Sequence, residues 1–467
     1  MSTVQLTLAS LSDAIRACDG ARDRFVQDAD RCIALGDLLT GSALYGRGDE
    51  LRGKSVLLAT KDQLTTIASL IELDGVARRI VLCPPDLPLE HFPYVIETAE
   101  VDGIVSDRAP TQFGKARPVV FMPCSHNLVP RPQHEEARCE TEWVLLTSGT
   151  TGLPKLVAHT FLSLTAAIRP QNAQGAETVW STFYDIRRYG GLQILLRAAL
   201  TGTSLVVTCA EEPTANFLAR AGSCGVTHIS GTPSHWRRAL MSPSAHLLHP
   251  AYVRLSGEAV DQAILDHLRS TYPQARLVHA FASTEAGVGF EVKDGKAGFP
   301  KAVLTSTPYV EMKVDDSTLR IRSAGCARCY LGDQAPLLKD QEGFVNTNDV
   351  VELRDGRYCF AGRRDGVINV GGLKVHPEQV EAVISQHPDV QMCLVRAKKS
   401  PVTGALVVAE VVLTAGMPAG DRDANAVKAS ILEFCRAELP PHKVPALVKI
   451  VSSLALTGAG KVMRRDA

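Results

Sequence analysis

The hydrophobic pattern of residues 54–106 alternates between short apolar runs and segments with helical spacing. The apolar runs have the length of buried strands, and they predict strands at 54–59, 79–83 and 103–106. Helices are predicted between them, one after a potential N-terminal cap at Asp62 and one at 89–101. This rhythm is typical of a parallel sheet that is covered by helices.

A similar rhythm returns in the middle of the chain. The spacing of apolar residues predicts helices at 192–200, 216–222 and 262–272. Strands are predicted at 143–146, 203–208, 226–230, 252–255 and 276–280. The two alternating regions together predict a large N-terminal α/β domain built on helix-covered parallel sheets.

From about residue 300 the pattern changes to short strands and turns, with a hairpin predicted from 309–314 and 318–322. A compact α+β pattern follows, with helices at 377–386 and 423–438 and strands at 392–396, 405–413 and 446–451. The charged, glycine-containing segment 362–366 separates the two. We therefore predict a large domain at 1–363 that includes a small β subdomain, and a small α+β domain at 364–467.

Composition restricts the class of protein. The 467 residues are 45% hydrophobic and 21% charged, which is typical of a soluble globular protein with large cores. The 50 acidic and 50 basic residues balance, so charge gives no reason to expect nucleic acid or an anionic membrane as a partner. The N-terminus lacks a signal-peptide pattern, and no apolar run approaches about 18 residues. We therefore expect a cytoplasmic protein without membrane insertion.

The cysteines add little to this picture. Twelve are scattered along the chain, and without an export signal we expect them to be reduced and mostly buried. Cys326 and Cys329 form one close pair, but a metal site requires a second pair or suitably spaced histidines, and none follows nearby.

Residues 147–155, Thr-Ser-Gly-Thr-Thr-Gly-Leu-Pro-Lys, are the strongest candidate for chemistry. Small residues let the backbone approach a ligand, and hydroxyls, backbone N–H groups and a lysine can surround phosphate oxygens. The run lacks the Gly-Lys-Ser/Thr ending of a P-loop. The alternative is an ordinary polar turn between a strand and a helix.

Four further segments combine glycines, hydroxyls and charged groups, at 256–259, 281–285, 346–349 and 458–461. Taken singly, each has an ordinary interpretation, because an acid at a strand end is commonly a cap and a C-terminal lysine is commonly solvated. Their joint order along one chain carries more weight than any one of them.

In that order the segments resemble the signature motifs of the adenylate-forming superfamily, which includes acyl- and aryl-CoA synthetases, peptide-synthetase adenylation domains and luciferase-type ligases. Residues 147–155 match its phosphate loop throughout. Residues 281–285 resemble its Tyr-Gly-x-Thr-Glu, with Phe281 and Ala282 as departures. Residues 347–349 resemble the ribose motif of the family. Residues 362–381 resemble its hinge and the start of its small domain, and residues 456–464 resemble its terminal lysine motif.

The resemblance implies a two-step reaction. A carboxylate attacks the α-phosphorus of ATP and gives an acyl-adenylate and pyrophosphate. A thiol, of CoA or of the phosphopantetheine on an acyl carrier protein, then displaces AMP. The implied cofactors are ATP, Mg²⁺ and CoA or phosphopantetheine, and the implied substrate is a small carboxylic acid.

The resemblance also assigns residues to roles. Lys461 would bridge the carboxylate and the α-phosphate, Thr284 would contact the α-phosphate, and Glu285 would hold Mg²⁺. The ribose would be bound by Asp349 and Arg363. The phosphate loop would consist of Thr147, Ser148, Gly149, Thr150, Thr151, Gly152 and Lys155. The adenine site would be lined by Gly257, Glu258 and Ala259, with His279, Ala280 and Phe281 beside it. Ala282 and Ser283 are further candidates for cofactor binding.

A mobile small domain is implied as well. In the family it rotates between the two half-reactions, and Asp365 occupies the hinge position with Gly366 beside it. Gly371 and Gly372 would let a pantetheine arm pass close to the backbone on the thiol-accepting face.

Three departures bear on substrate and acceptor. Asn369 stands where the family often has a lysine, and Asn348 replaces a glycine of the ribose motif. The segment 183–191 lies where many relatives have a histidine-containing aromatic motif near the acyl pocket, and here it contains Asp185. The candidate acid-pocket residues of this segment are Tyr184, Arg187, Arg188 and Gly191. Either these charges face solvent or pair weakly, or one arginine recognises a polar group of the substrate.

The sequence therefore predicts an ATP-dependent ligase for a small or medium acid, aryl ahead of aliphatic, with CoA as the acceptor. One alternative is a stand-alone enzyme that loads a carrier protein or acylates an amine. The other is a protein that binds a nucleotide without turnover, against which the retained Lys461, Glu285 and Asp349 speak. The oligomeric state stays open, a homodimer included.

Overall fold

The computed structural model describes residues 10–18, 20, 23–113, 119–132, 139–147, 152–168, 177–209, 211–400, 404–414 and 421–455. The first part of the chain contains α1 (Leu11–Arg16), β1 (Phe25–Gln27), β2 (Cys32–Ala34), α2 (Leu35–Thr40), β3 (Gly41–Ser42), β4 (Ser55–Leu58), α3 (Gln63–Leu73), β5 (Arg79–Leu82), α4 (Phe92–Thr98), β6 (Gly103–Ser106), β7 (Val120–Pro123), β8 (Val129–Pro130), β9 (Glu142–Thr147), β10 (Lys155–Thr160) and α5 (Phe161–Thr165).

The middle contains β11 (Val179–Thr182), α6 (Tyr189–Thr201), β12 (Ser204–Val206), α7 (Thr214–Ser223), β13 (His228–Gly231), α8 (Pro233–Leu240), β14 (Tyr252–Ser256), α9 (Gln262–Thr271), β15 (Arg276–Ser283) and β16 (Gly287–Val292). The short-strand region contains β17 (Phe299–Pro300), α10 (Val303–Ser306), β18 (Val310–Asp315), β19 (Thr318–Ser323), β20 (Cys329–Tyr330), β21 (Val345–Arg354) and β22 (Arg357–Arg363). The last part contains β23 (Ile368–Val370), β24 (Leu373–Val375), α11 (Pro377–Ile384), β25 (Val390–Ser400), β26 (Gly404–Leu413), α12 (Asp421–Glu438) and β27 (Leu447–Ile450).

Two large sheets form the framework. The first sheet has the strand order β20-β10-β9-β5-β4-β6-β7, and the second sheet has the order β16-β15-β14-β13-β11-β12-β1-β2. The inner strands run parallel, whereas β10 and β20 at one edge of the first sheet and β2 and β16 at the edges of the second are antiparallel to their neighbours. The predicted α/β architecture of helix-covered parallel sheets is confirmed, with antiparallel edges in addition.

Helices α3 and α6 lie in the layer between the two sheets. One apolar cluster joins residues of both helices to inward-facing residues of both sheets, among them Val56, Trp143 and Leu205. The predicted cap of α3 is present, since the Asp62 carboxylate accepts hydrogen bonds from the backbone N–H groups of Leu64 at 2.8 Å and Thr65 at 3.1 Å. The outer faces are covered separately, by α4 on the first sheet and by α7, α8 and α9 on the second.

The candidate phosphate loop is followed by a strand. The polar-turn interpretation placed a helix after it, and that expectation is wrong, because β9 and β10 form an antiparallel pair in which Thr147 faces Lys155. Leu156, Val157 and Ala158 are all buried, so β10 is covered on both faces like a central strand.

The last part of the chain has its own core. Val395, Ile431 and Val448 belong to one apolar cluster of this region, whereas Phe299 and Val351 belong to the separate cluster of the five-stranded sheet β17-β22-β21-β19-β18. The predicted boundary between residues 363 and 364 falls between these clusters and stays a prediction. Each helix in the described ranges is too short or too polar to traverse a bilayer.

Candidate active site

Two of the predicted motifs lie at one edge of the second sheet. Strands β11, β13, β14 and β15 are parallel neighbours, so their carboxyl ends lie side by side. The segment that begins with Gly257 directly follows β14, and Thr284 and Glu285 directly follow β15. The carboxyl edge of a parallel sheet is where ligands of α/β proteins bind, and this edge is therefore the candidate site.

The phosphate loop is positioned by the ends of β9 and β10. Thr147 ends β9, and its Oγ1 is buried without a hydrogen-bond partner among the described residues. Lys155 begins β10, and its Nζ lies 5.2 Å from the centre of the Tyr330 ring. Gly152 lies between them, while Ser148, Gly149, Thr150 and Thr151 lie outside the described residues. A buried hydroxyl without a partner leaves a hydrogen-bonding position for a ligand oxygen.

Tyr330 connects this loop to Glu285. Its strand β20 pairs with β10, and its hydroxyl donates a hydrogen bond to Glu285 Oε1 at 3.2 Å. Burial, together with the charge of Glu285, raises the pKa of Tyr330 above its ordinary value, so the hydroxyl keeps its proton. Tyr330 was not among the predicted site residues, because nothing in the local sequence pattern shows that β20 pairs with a strand far earlier in the chain.

His159 holds the backbone of the same turn. Its Nε2–H donates to the Thr284 carbonyl oxygen at 2.8 Å, and its Nδ1 lies 2.9 Å from Ser163 Oγ. Burial lowers the pKa of His159 to about 4, so the ring is neutral and donates from Nε2. From the other side, Ala327 N–H donates to the Glu285 carbonyl oxygen at 2.9 Å. The turn carrying Thr284 and Glu285 is thus fixed by partners from two distant segments.

The predicted ribose motif brings Asp349 and Arg363 together. They are directly opposite each other in the β21–β22 pair. Burial acts to lower the pKa of Arg363, but its hydrogen bonds to Asp365 and the charges of Asp349, Asp365 and Glu285 raise it overall. Asn348 has φ +59°, a left-handed conformation that asparagine tolerates better than most residues, so the departure from glycine preserves the turn.

Asp365, at the predicted hinge position, forms an ion pair with Arg363. Arg363 Nε donates to Asp365 Oδ1 at 3.0 Å, and the charge of Lys155 also acts on this carboxylate. Burial opposes the shift, but the Arg363 hydrogen bond lowers the pKa of Asp365 overall. The predicted hinge position is therefore connected electrostatically, through Arg363, to Glu285 and Asp349, and directly to Lys155.

The predicted adenine segment is tied to its neighbours. The Glu258 carboxylate accepts hydrogen bonds from Ser234 N–H at 2.9 Å and Ser234 Oγ at 3.0 Å, at the N-terminus of α8. The Phe281 ring stacks with Phe290 at 5.8 Å and Phe360 at 5.6 Å, within the core of the five-stranded sheet. These contacts position the edge. Contact of Gly257, Ala259 and Ala280 with adenine, and of Ala282 and Ser283 with the cofactor, stays a prediction.

The charges of the segment 183–191 are ion-paired, as the first of the two interpretations allowed, but Arg187 does not face solvent. Arg187 is 1% exposed, and its Nη2 donates to Asp185 Oδ2 at 2.5 Å. Its Nη1 donates to the carbonyl oxygens of Thr60 and Lys61. This partner set holds the loop to the end of β4, and a substrate role of Arg187 stays a prediction.

The other predicted pocket residues are equally engaged. Arg188 pairs with Asp86, and the Tyr184 hydroxyl donates to the Ser256 carbonyl oxygen at 2.6 Å. Gly191 is required by a close approach, since a Cβ there would lie 2.3 Å from the Asp185 carbonyl oxygen. Tyr184 therefore lies against the carboxyl end of β14, beside the candidate site.

The predicted thiol-accepting turn lies within the described residues, whereas the predicted catalytic lysine does not. Gly371 and Gly372 form the turn between β23 and β24, and a Cβ at either position would meet no atom within 4 Å. Lys461 lies outside the described residues. Within the described ranges no three potential metal-ligating side chains cluster. Glu285 therefore fits Mg²⁺ as a single protein ligand, with phosphate oxygens and water as the other ligands. This is the usual way in which proteins bind that ion.

The chain matches two family models. The model described as "AMP-binding enzyme" matches residues 76–331, and that described as "AMP-binding enzyme C-terminal domain" matches residues 379–461. Among curated proteins, the 2-succinylbenzoate–CoA ligase of Salmonella typhimurium is 27% identical over 93% of this chain and 90% of its own length.

Solved structures show the same fold. An anthranilate CoA ligase in complex with anthranoyl-AMP has a TM-score of 0.81 at 18% identity, over 99% of this chain and 97% of its own. An amide bond synthetase from Marinactinospora thermotolerans has a TM-score of 0.78 at 19% identity, over 97% of both chains.

Proposed function

This chain belongs to the family of AMP-binding enzymes, and on that premise we propose that it is an AMP-forming acid–thiol ligase. It would couple a small carboxylic acid, aryl ahead of aliphatic, to a thiol, with CoA as the acceptor. The observation that carries the proposal is the convergence of Lys155, Tyr330 and Glu285 beside the unpartnered hydroxyl of Thr147. A lysine, hydroxyls and a carboxylate suited to Mg²⁺ form an electrostatic site for a polyphosphate.

In the first step, a carboxylate oxygen of the acid bonds to the α-phosphorus of ATP, and the bond to the bridging oxygen of the β-phosphate breaks. Thr147 and Lys155 would hold the departing pyrophosphate, and Thr284 the α-phosphate. Bound Mg²⁺ would neutralise phosphate charge, with Glu285 as its protein ligand. Asp349 and Arg363 would hold the ribose, and Lys461 would join the two reacting anions.

In the second step, the thiol sulfur bonds to the acyl carbon, AMP leaves with the electron pair of the broken C–O bond, and the thiol proton passes to solvent. Gly371 and Gly372 would border the path of the pantetheine arm, because an open glycine turn leaves room for a chain. Rotation of the small domain about Asp365 would exchange Lys461 for this turn.

A second candidate acceptor is an amine or a carrier protein. Asn369, in the strand that precedes the Gly371–Gly372 turn, stands where the family often has a lysine. The amide bond synthetase that shares this fold supports an amine as a candidate acceptor. Omitting CoA and supplying an amine or a phosphopantetheinylated carrier protein separates these acceptors.

The proposal is tested by carboxylate-dependent release of pyrophosphate from ATP, over a panel of aryl and aliphatic acids with and without CoA. We expect release with at least one acid, and a fall of at least about 100-fold for Lys461→Ala. Lys155→Ala should weaken the use of ATP equally for every acid. No release with any acid, despite ATP binding, would instead identify a nucleotide-binding protein without turnover.

A further inference from the structure

Helix α11 begins directly against strand β22, on the other side of the predicted hinge at Asp365. Gly362 of β22 has φ +144°, and a Cβ there would lie 2.3 Å from Glu378 Oε2 and 3.2 Å from His376 Cβ. His376 is the N-terminal cap of α11, and Glu378 lies in its first turn. Glycine permits so close an approach of side chains to the backbone. The small domain is therefore seated on β22 through one end of α11.

A side-chain bridge extends this contact to the neighbouring strand β21. Gln379 Nε2 donates to Glu352 Oε1 at 2.7 Å, and Gln379 Oε1 accepts from Lys443 Nζ at 2.5 Å. The other carboxylate oxygen of Glu352 accepts from Arg354, so this carboxylate is oriented from its own strand. Glu352, Gln379 and Lys443 are all half-buried, which strengthens the hydrogen bonds between them.

The amide of Gln379 suits the charges on either side of it. A carboxylate only accepts and an ammonium group only donates, so the amide has one orientation that satisfies both Glu352 and Lys443. Burial acts to raise the pKa of Glu352, but hydrogen bonds from Arg354 and Gln379 and the charge of Lys443 lower it overall. A neutral amide thus connects an anion of the large domain to a cation of the small domain.

The same orientation leaves the predicted thiol-accepting turn away from the candidate site. Gly371 and Gly372 are exposed, and a Cβ at either position would meet no atom within 4 Å among the described residues. Ile368 and Val375 of the adjoining strands share one apolar cluster with Val380 of α11, so the turn and the helix move together. A rotation that brings the turn to the candidate site therefore lifts α11 from β21 and β22.

We propose that Gln379 is a positioning residue whose bond to Glu352 holds the small domain in the orientation of the first step and opens before the second. Lys443 belongs to the small domain and keeps the amide oriented when the bond to Glu352 opens, so the bridge can form again after each turnover. Gln379 acts through the domain that carries Lys461 and contacts no substrate. This inference rests on the proposed function, since it concerns an orientation used in the same reaction.

The experiment measures the two steps separately. Acid-dependent exchange of pyrophosphate into ATP reports the first step, and thioester formation from preformed acyl-adenylate in a single turnover reports the second. We expect Gln379→Glu, which sets a carboxylate against Glu352, to slow the first step about tenfold and to leave the second at least as fast as in the wild-type chain. Gln379→Leu removes both hydrogen bonds but adds no charge, and it should slow the first step less.

A charge exchange provides the rescue. Combining Glu352→Gln with Gln379→Glu restores an amide–carboxylate pair between β21 and α11, with the carboxylate now beside Lys443, and should recover most of the first step. Gln386→Leu is the matched control, because Gln386 follows α11, is exposed, and donates to the Ala382 carbonyl oxygen of the same helix. This control should change neither step.

Exposure of the hinge is measured independently of catalysis. Limited trypsin digestion cleaves after Arg364, at the predicted hinge, and we expect Gln379→Glu to be cleaved at least about threefold faster than the wild-type chain, because the small domain is released more often. If Gln379 only stabilised the fold, its substitution would lower the melting temperature and slow both steps alike. We expect a melting temperature close to that of Gln386→Leu.

Two kinetic results would overturn the inference. They are a first step at the wild-type rate in Gln379→Glu, and a second step that is slowed as much as the first or more. Failure of the proposed function would show instead as no pyrophosphate exchange with any acid in any chain. In that case trypsin still tests the bridge, since equal cleavage of the wild-type chain and Gln379→Glu would refute it, and faster cleavage reversed by the charge exchange would support it. Gln379→Leu supplies the comparison if Gln379→Glu does not fold.

Discussion

For single residues, the role of a charged group depends on its partners more than on its neighbours in sequence. Arg187 stands in a segment that marked it for substrate recognition, yet Asp185 and the two carbonyl groups of Thr60 and Lys61, which follow β4, occupy its donors. Arg197 of α6 had no motif around it; its guanidinium lies against the Trp180 ring, and the charge of Glu291 acts on it. A guanidinium whose donors are all bonded to the protein stabilises a loop.

Acid sensitivity is predicted for His159. The folded chain keeps this ring neutral, with a pKa of about 4, whereas an unfolded histidine titrates near 6.5. Its contribution to the free energy of unfolding is complete above pH 6.5 and is lost as pH falls towards 4. At pH 5 the loss amounts to about 2 kcal/mol. Urea unfolding at pH 7.5 and pH 5 measures it.

The matched variant is His159→Gln, which lacks the titrating ring but can donate an amide N–H to Thr284. The difference between its stabilities at the two pH values should be smaller than that of the wild-type chain by about 2 kcal/mol. Burial lowers the pKa of His228 to about 4 and that of His235 to about 3. These two residues account for the acid sensitivity that remains in His159→Gln. An unchanged pH dependence in His159→Gln would contradict the assignment.

For secondary-structure elements, the turn between β15 and β16 depends on segments that are remote in sequence. His159 in β10 and Ala327 before β20 bind its backbone, and Tyr330 in β20 binds the Glu285 side chain. The edge of the first sheet therefore positions a turn that belongs to the second sheet. A substitution in this contact between the two sheets should therefore lower both pyrophosphate release and the free energy of unfolding.

Gly287→Ala tests that contact. Gly287 has φ +72°, and a Cβ there would lie 2.3 Å from the Gly325 carbonyl oxygen. We expect the free energy of unfolding to fall by about 2 kcal/mol or more, with reduced pyrophosphate release. Gly225→Ala is the control, because its φ of +69° is similar and no atom lies within 4 Å of the added Cβ. Equal effects of the two substitutions would show that the Gly325 contact is unimportant.

Tyr330→Phe tests the hydroxyl that orients Glu285. The ring contact with Lys155 stays, and only the hydrogen bond to the carboxylate is lost. We expect the Mg²⁺ concentration for half-maximal pyrophosphate release to rise roughly tenfold, because the partners of a metal ligand set its orientation. The melting temperature serves as the control for folding. A Mg²⁺ dependence equal to that of the wild-type chain would argue against Glu285 as the metal ligand.

Local signals in the sequence located most elements of the fold. The cap at Asp62 and the strands at 79–83 and 252–255 were predicted, because each depends on residues a few positions apart. Strand β20 and the contact of Tyr330 with Glu285 were missed, because both depend on pairing between segments far apart in the chain. Motif order identified the candidate site, and packing decided which side chains it leaves unpartnered.

For the whole molecule, the last part of the chain has its own apolar cluster, and polar side chains connect it to the rest. Gln379 Nε2 donates to Glu352 Oε1 at 2.7 Å, and Arg364 Nη2 lies 2.6 Å from Asp316 Oδ2. The apolar cluster of this part includes Val375 and Val448 and is confined to residues beyond the predicted hinge. Separate apolar clusters on the two sides fit the predicted rotation of the small domain, which stays a prediction.

Truncation tests the boundary. We expect residues 1–363 to unfold cooperatively on their own, and to bind ATP without rapid pyrophosphate release because Lys461 is missing. Residues 1–190 should not fold, because β1 and the first sheet then lack β12 and β20. Circular dichroism and urea unfolding of both fragments provide the measurement. A fragment 1–363 that fails to fold would place the boundary elsewhere.

The strand order also has a consequence for how the chain is made. Val26 pairs with Leu205, and Val157 pairs with Tyr330, so early segments receive their neighbours only after much more of the chain exists. At a synthesis rate of about 5–20 residues per second, these waits last roughly 10 to 40 s on the ribosome. During that time the nascent strands expose apolar faces and unpaired edges. The large domain is therefore completed late in translation. The order of its strands determines how long the nascent chain depends on chaperones.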